Sequence, residues 1–303
     1  MKDMKITTQE QYLSIYEALA SKVRLRIIEL LAEKPRNIKE LAEALGLSSA
    51  IVTMHIRKLE EAEIVRGDRV RGQGGIQKIC TLIVDTLEIE FPQKADTIRQ
   101  YHEFILPVGH YTDFQAHPTC GLATKDNVIG CFDDPRYFLS PERVNAKILW
   151  FNQGYVEYKV PNYLLSNQTP YELQIILELS SEAPGVNSHW PSDISFFLNH
   201  ILIGQWNSPG DFGGIRGKYT PAWWSLGLAQ YGLLKVLTIN EKGSYIDGQK
   251  VSDITLDQLK IQEKQWTFRI SVEEDAEHIG GLTLFGSEFG NYNHDIIFRL
   301  YYS

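Results

Sequence analysis

Two short amphipathic patterns joined by a glycine constrain the fold of this chain more than any other feature. The apolar residues of the first pattern recur at the spacing of one buried helical face: Ile38, Leu41, Ala42 and Leu45. Those of the second pattern have the same spacing: Val52, Ile56 and Leu59. Between them, Gly46 is suited to end a helix and Ser48 to cap the next one. The sequence therefore predicts a helix-turn-helix.

The second helix of this pair is the part that we expect to read DNA. Its apolar face leaves four polar residues directed outward, where they could enter a major groove: Ser49, Thr53, Arg57 and Lys58. We expect direct base contacts from Ser48, Thr53 and His55, together with the hairpin that follows. His55 also has a structural interpretation, in which its ring packs against the preceding helices.

After this helix, residues 64–65 and 76–82 have the composition of two short strands, and Gly72, Gly74 and Gly75 lie between them. Four cations accompany a single acid, Asp68, and give this hairpin a net charge of +3: Arg66, Arg69, Arg71 and Lys78. A basic wing directly after a helix-turn-helix is suited to clamp phosphates. The alternative is that it is a solvated, glycine-rich loop.

The N-terminal sequence contains the stretches ALASKVRLRIIELLAEKP, IKELAEALGLS and VTMHIRKLEEAEIV. Over residues 7–82 they resemble the DNA-binding domain of ArsR-type regulators. The resemblance implies a winged helix-turn-helix, dimeric binding to a DNA operator and regulation by an effector. Metal-sensing members of that family carry paired cysteines in the helix before the reader, but residues 38–45 contain neither Cys nor His. Residues 80–91 alternate like a strand and so do not supply the later helix of the family's other metal site.

The first helix, expected over Thr8–Leu19, is the predicted dimer contact. It carries an apolar stripe that could pack against a second copy: Tyr12, Ile15, Tyr16 and Leu19. A homodimer would match two half-sites about one helical turn apart. The same stripe could instead belong to the core of its own domain.

Length and charge predict two domains, residues 1–85 and 86–303. The first carries a net charge of +2 and the second of −10, so we expect the second to stay away from DNA. Three cysteines are too few for a disulfide framework, and neither a membrane span nor a signal-peptide core is visible. We expect a cytoplasmic protein without a cofactor or a metal, in which Cys120 and Cys131 are buried thiols rather than redox switches.

The second domain contains almost all of the aromatic residues, since only Tyr12 and Tyr16 precede Asp85. Its apolar runs are short and separated by turn residues: 173–179, 194–203, 233–239, 266–272, 282–285 and 295–302. The expected fold class is therefore α+β, with the winged helix-turn-helix followed by an antiparallel β-sandwich of jelly-roll type. Residues 91–161 could extend the sandwich or form a separate layer, with a short helix at 94–104 and strands at 104–111, 147–151 and 155–160.

One segment, residues 189–224, concentrates groups that suit a sugar, because aromatic faces stack on the ring while polar groups pair with its hydroxyls. The predicted ligand-binding residues are Trp190, Trp206, Asp211, Arg216, Trp223 and Trp224. The alternative is a tryptophan-rich core with a polar turn. Residues 171–302, which end in GGLTLFGSEFGNYNHDIIFRLYY, are similar to jelly-roll carbohydrate-binding modules and galactose-binding-like domains, and this implies a sugar as the small-molecule effector.

Other functions for the second domain have less support in the sequence. Acidic residues that could hydrolyse a glycoside are present, but their separation is unknown: Glu178, Glu182, Asp193, Asp211, Glu273, Glu274 and Asp275. The histidines show no paired metal-ligand spacing, and neither a nucleophile elbow nor a phosphate-binding loop occurs. We therefore expect a non-enzymatic regulator, with a protein-interaction or oligomerisation module as the alternative.

Overall fold

The computed structural model describes residues 2–72, 75–92 and 99–303, with the side chains at 2, 71, 72, 75 and 76 outside that description. The chain divides into two compact units, Met1–Ile98 and Arg99–Ser303. The boundary expected from the sequence, between residues 85 and 86, lies within the last strand of the first unit.

The first unit contains four α-helices in its described residues: α1 (Leu13–Leu19), α2 (Lys22–Glu33), α3 (Ile38–Leu45) and α4 (Ser49–Glu61). Asn37 caps α3, accepting from the Glu40 amide at 2.9 Å while the Glu40 carboxylate accepts from the Asn37 amide. Gly46 ends α3 in the left-handed region at φ +65°, and Ser48 caps α4. The helix-turn-helix is thus confirmed.

The strands of the first unit are β1 (Lys2–Thr7), β2 (Arg36–Asn37), β3 (Val65–Gly72), β4 (Gly75–Leu82) and β5 (Val84–Glu90). They form an antiparallel wing sheet in the order β2-β4-β3 and a parallel pair of β1 with β5. The strand expected after the wing is confirmed as β5. The wing tip, residues 73–74 with the predicted tip glycine Gly74, lies outside the described residues.

The first helix is shorter than expected, because Glu10–Tyr12 form a 3-10 turn and α1 begins only at Leu13. Its apolar stripe packs inward: Ile15 is buried in the core of this unit, and Tyr12, Tyr16 and Leu19 pack against that core. Tyr16 also donates to the Thr7 carbonyl at 2.9 Å, which ties α1 to β1. These contacts match the interpretation in which the stripe belongs to the core of its own domain.

The second unit is a twelve-stranded antiparallel sheet in its described residues. Its strands are β6 (Gln100–Leu106), β7 (Asp113–Ala123), β8 (Ile148–Pro161), β9 (Pro170–Ser180), β10 (Ser192–Leu198), β11 (Ile201–Ser208), β12 (Leu233–Asn240), β13 (Gly243–Ile246), β14 (Gln249–Ser252), β15 (Gln265–Val272), β16 (Leu282–Phe285) and β17 (Ile296–Tyr302). The main path runs β11-β10-β15-β8-β16-β9-β12-β13-β14, with β17 and β6 beside β9 and β7 beside β8. Because β11 also contacts β13 and β14, the sheet nearly closes on itself and the jelly-roll-like class is confirmed.

Two local expectations for the second unit were wrong. The described part of the expected helix at 94–104 is a strand, because Gln100–Leu106 pairs with β17. The two strands expected at 147–151 and 155–160 are one, β8. The β-rich run at 194–203 forms the β10–β11 hairpin, which turns at Asn199 and His200, both at positive φ. Within residues 99–161, the strands β6, β7 and β8 join the main sheet and do not form a separate layer.

Candidate functional site

The exposed face of α4 carries the residues expected to read DNA. Ser48, Ser49, Thr53, Arg57 and Lys58 are all exposed, while the apolar residues of the other face are buried. The Ser48 hydroxyl accepts from the Ile51 amide at 3.4 Å and so fixes the start of the helix. The Thr53 hydroxyl donates to the Ser49 carbonyl at 2.7 Å, which leaves its methyl group and its acceptor lone pairs for a partner.

Two hydrophobic side chains share this exposed face. Ile51 is 43% exposed and Met54 is 56% exposed. The two α4 cations are held loosely, Arg57 by Glu61 at 2.9 Å and Lys58 by Glu17 at 3.5 Å. Exposed pairs of this kind contribute little to stability, so either cation can exchange its carboxylate for a phosphate.

His55 is half-buried and turned towards α2, where its Nδ1 lies 3.4 Å from Arg24 Nη1. Burial lowers the pKa of His55, and the Arg24 guanidinium lowers it further. The imidazole is therefore neutral at pH 7. Its position matches the structural interpretation, in which the ring packs against the preceding helices.

The wing presents its cations unequally. Arg69 is exposed, and Arg66 is exposed with a weak pairing to Asp68 at 3.1 Å. Lys78 instead turns back onto α4 and lies 2.6 Å from the Glu60 carboxylate, with both side chains partly buried. The side chain of Arg71 lies outside the described residues.

The six residues predicted to bind a ligand do not form one cluster. Trp206 packs against the main core, with Lys235 Nζ 4.6 Å from its ring. Trp190 is half-buried, and its backbone amide donates to the Pro209 carbonyl. Trp223 is exposed and donates to the Lys125 carbonyl, while Trp224 is buried beside it with ring centroids 5.5 Å apart.

Asp211 is fully buried and does not pair with Arg216. Its Oδ2 accepts from the Ala183 amide at 3.2 Å, whereas Oδ1 has no hydrogen-bond partner among the described residues. Burial raises the pKa of Asp211 to about 7. Arg216 donates to the carbonyls of Pro221 and Trp224 and so holds the turn that presents Trp224.

Asp211 and Arg216 support the wall of a cavity of about 170 Å³, named here the Glu182 cavity. Its lining residues come from widely separated parts of the chain: Thr119, Phe132, Asp133, Ile148, Trp150, Glu182, Ala183, Pro184, Gly185, Trp224, Leu228, Ala229 and Thr283. Trp224 is the member of the predicted set that lies in it. Asp211 lies behind Ala183, which it holds through the amide.

Three aromatic rings form one side of the Glu182 cavity. Trp150 and Trp224 are buried, with centroids 5.7 Å apart, and Phe132 lies 5.5 Å from Trp150 and 6.5 Å from Trp224. The Trp224 Nε1 donates to the Ala229 carbonyl at 2.9 Å, which fixes its ring. A Cβ on Gly121 would overlap the Trp150 ring, so the Trp150 indole packs directly against the backbone of Gly121.

The polar side of the cavity is built around Glu182. One carboxyl oxygen accepts from the Thr283 hydroxyl at 2.8 Å and the other from the Thr119 hydroxyl at 3.4 Å. Burial and, next in size, the nearby Asp211 carboxyl together raise the pKa of Glu182 to about 8. The group is thus mostly protonated at pH 7, with its O–H available to donate.

Sequence reasoning missed most of this cavity. In the sequence Glu182 is only one of seven candidate acids, and Trp150 lies in an apolar run that resembles any core strand. Thr119 and Thr283 are separated from Glu182 by 63 and 101 residues. The available signal was a threonine between apolar neighbours on a buried strand, since β16 buries Thr283 between Leu282 and Leu284.

Among the described residues, no group of His, Cys, Asp and Glu has the geometry to hold a metal ion. None of the helices in that part of the chain is long and apolar enough to cross a bilayer. The cysteines are unpaired, and Cys120 is buried as expected, but Cys131 is exposed, contrary to expectation.

Comparison with known proteins identifies the helix-turn-helix. Residues 21–66 match the model of the family described as "Bacterial regulatory protein, arsR family". An uncharacterised HTH-type transcriptional regulator of Methanocaldococcus jannaschii is 46% identical over 54 residues, which are 18% of this chain and 57% of the relative. The chain therefore spans little more than half of that relative's length.

Two solved structures are similar to separate parts of the chain. HlyU from Vibrio cholerae is 24% identical with a TM-score of 0.21, covering 23% of this chain and 72% of its own. The second is a carbohydrate-binding module, CBM36, in complex with calcium and xylotriose. It is 10% identical with a TM-score of 0.28, and the match covers 67% of this chain and 99% of the module. Overlaps this low assign no ligand to either unit.

Proposed function

We propose that this chain, whose residues 21–66 form a helix-turn-helix of the ArsR family, is a DNA-binding transcriptional regulator that contacts the duplex with α4 and the wing. The observation that carries the proposal is the exposed face of α4. Polar hydrogen-bonding groups at Ser49 and Thr53 lie on one face with two weakly held cations, Arg57 and Lys58. Such a face can place base contacts in a major groove and phosphate contacts at its edges.

The contacts to phosphate would come mainly from Arg57, Lys58, Arg66 and Arg69. Each neutralised phosphate releases counterions, so the logarithm of affinity falls with the logarithm of salt concentration by about 0.9 per contact. Lys78 contributes less to this slope, because it already pairs with Glu60. We propose base readout from Ser48, Ser49 and Thr53, with His55 acting through its packing on α2.

The test is a mobility-shift titration of the purified protein on the DNA upstream of its own gene, at several salt concentrations. Arg69→Ala should weaken binding to every duplex and reduce the salt slope by about 0.9. Thr53→Ala should instead reduce the preference for the specific site. Lys5→Ala is a matched control, because it removes one exposed cation from β1, outside both α4 and the wing.

The regulator hypothesis fails if the wild-type protein shows no salt-dependent binding to any duplex. The interface assignment fails if Lys5→Ala lowers the salt slope as much as Arg69→Ala does.

For the second unit we propose binding of a small-molecule effector, most simply a carbohydrate. The support is a cavity with an aromatic side and a hydrogen-bonding side, a pairing that suits a sugar ring. An effector changes DNA affinity only through a difference between its affinities for two states of the protein. A coupling of 1–3 kcal/mol, about 5- to 150-fold in affinity, is the usual range.

The effector proposal is tested with a panel of mono- and oligosaccharides. Binding should change tryptophan emission and raise the unfolding temperature, and a bound sugar should shift the DNA titration. If no sugar in the panel produces either of the first two signals, the carbohydrate assignment falls, while the DNA-binding proposal stands on its own test.

A further inference from the structure

We propose that the Glu182 cavity is the effector site of the second unit and that it takes one uncharged pyranose ring, stacked on the Trp150–Trp224 side and hydrogen-bonded to Glu182. This inference rests on the proposed carbohydrate-binding function and adds the position of the site and the form of its ligand. It replaces a site on the loop around Asp211 and Arg216, whose side chains hold backbone groups.

Size limits the ligand to one ring. A cavity of roughly 150 Å³ in another protein accommodates one benzene, and pockets for drug-sized ligands begin near 300 Å³. The Glu182 cavity, at about 170 Å³, lies near the lower of these values. It can therefore hold one ring of a monosaccharide or of the terminal residue of a chain, with substituents projecting through the open side, but not several linked sugars.

The aromatic side offers ring faces on which an apolar face can stack. Phe132, Trp150 and Trp224 contact one another with centroid distances of 5.5–6.5 Å, and their planes are inclined by 35–67°. The C–H face of a pyranose can therefore stack on one ring while the neighbouring rings contact its edge. Inclined rings also suit organic cations, which is why the experiment includes one.

The polar side matches hydroxyl groups. Each oxygen of the Glu182 carboxyl already accepts one threonine hydroxyl, from Thr283 and Thr119. Because burial raises the pKa of this carboxyl to about 8, it also carries a proton that it can donate. A neutral acid that both donates and accepts is complementary to a sugar hydroxyl, which does the same.

The cavity is open to solvent on the side of Phe132, which is 47% exposed, and of Pro184 and Gly185, which are both exposed. A Cβ on Gly185 would meet no atom within 4 Å, so the rim beside it is unobstructed. Asp211 and Arg216 are positioning residues for this site, since one holds Ala183 and the other holds the Trp224 turn.

The experiment titrates the full chain with the methyl glycosides of glucose, galactose, mannose and xylose, following tryptophan emission and calorimetric heat. Glu182→Ala should raise Kd at least about tenfold, the loss expected for one buried hydrogen-bonding partner. Glu182→Gln, which also donates and accepts without charge, should stay within about threefold of wild type. Phe132→Ala should raise Kd by about fivefold through lost stacking.

Tyr163→Ala is the matched control for Phe132→Ala, because it removes a 54% exposed aromatic residue that lies outside the cavity lining. It should leave Kd unchanged. Thermal unfolding of each variant separates loss of the site from loss of the fold. Where Glu182→Ala does not fold, Phe132→Ala with its control decides, since Phe132 is at the surface.

Two results would overturn the inference while leaving carbohydrate binding intact. In one, a glycoside binds and both Glu182→Ala and Phe132→Ala bind it like wild type, so that the site is elsewhere. In the other, Glu182→Gln binds as weakly as Glu182→Ala, so that the carboxyl does not act as a neutral donor. If tetramethylammonium binds and no sugar does, both the ligand class here and the carbohydrate proposal fail.

Discussion

The substitution Asp211→Asn should make the second unit less sensitive to alkaline pH. Asp211 is fully buried, one of its oxygens accepts from the Ala183 amide, and the other has no partner among the described residues. An asparagine of the same shape can accept from that amide and does not ionise. The variant therefore removes the cost of burying a charge without removing the contact.

The size of the effect follows from the pKa. Burial raises the pKa of Asp211 from 3.8 to about 7, so between pH 4 and pH 7 the folded protein keeps a proton that the unfolded chain releases. The free energy of unfolding of the wild type must then fall as pH rises through this window. Three units at 1.36 kcal/mol each give about 4 kcal/mol for this residue.

The stability difference between Asp211→Asn and wild type should thus grow by about 4 kcal/mol, in favour of the variant, from pH 4 to pH 8. Loss of the Asp211 charge also lowers the pKa of Glu182 in the folded protein. The stability that the protein loses at Glu182 as pH rises is then smaller, so this effect also makes the variant less sensitive to alkaline pH.

The assay is urea unfolding at a series of pH values, followed by tryptophan emission. All six tryptophans lie in the second unit, so this signal reports that unit alone. Asp253→Asn is the control, since Asp253 is exposed and its hydrogen bond to Lys250 lowers its pKa, which keeps it ionised above pH 5. Parallel pH profiles for Asp211→Asn and wild type would refute the reasoning.

Three further outcomes are expected. Gly290→Ala should destabilise the second unit by about 2 kcal/mol or more, because Gly290 has φ +73° and its Cβ would overlap the buried Glu178 carboxyl; an unchanged unfolding temperature would contradict this. Lys78→Ala should reduce the salt slope of DNA binding less than Arg69→Ala, since Lys78 pairs with Glu60; equal slopes would show that Lys78 reaches phosphate. The protein should be a homodimer in light scattering at micromolar concentration, and a monomer with and without DNA would exclude the two-half-site arrangement.

The helix-turn-helix could be predicted from sequence because its signals are local. The apolar spacing of α3 and α4, the Ser48 cap and the Gly46 terminus all act within one or two turns of each helix. The direction of Lys78 was not predictable in this way, because its partner Glu60 lies 18 residues earlier on another element.

The cavity could not be predicted, because the pairing of strands that are distant in sequence brings its residues together. Glu182 meets Thr119 and Thr283 only after β7, β8, β16 and β9 pair side by side. Proximity in sequence instead suggested a site at Asp211 and Arg216, where both residues proved to hold backbone groups. Polar residues in a glycine-rich loop look alike in sequence, whether they face a ligand or fix the chain behind it.

The parallel pairing of β1 with β5 affects how the first unit can form during synthesis. Asp3 pairs with Thr86 and Ile6 with Ile89, and Ile6 is only 1% exposed in the finished fold. At ~5–20 residues per second, several seconds separate the translation of the two strands. During that interval β1 has been synthesised without its partner, while the helices and the wing that connect the two strands are still being made. The β1–β5 pair can therefore form only after the ribosome has passed residue 90, near the end of the first unit.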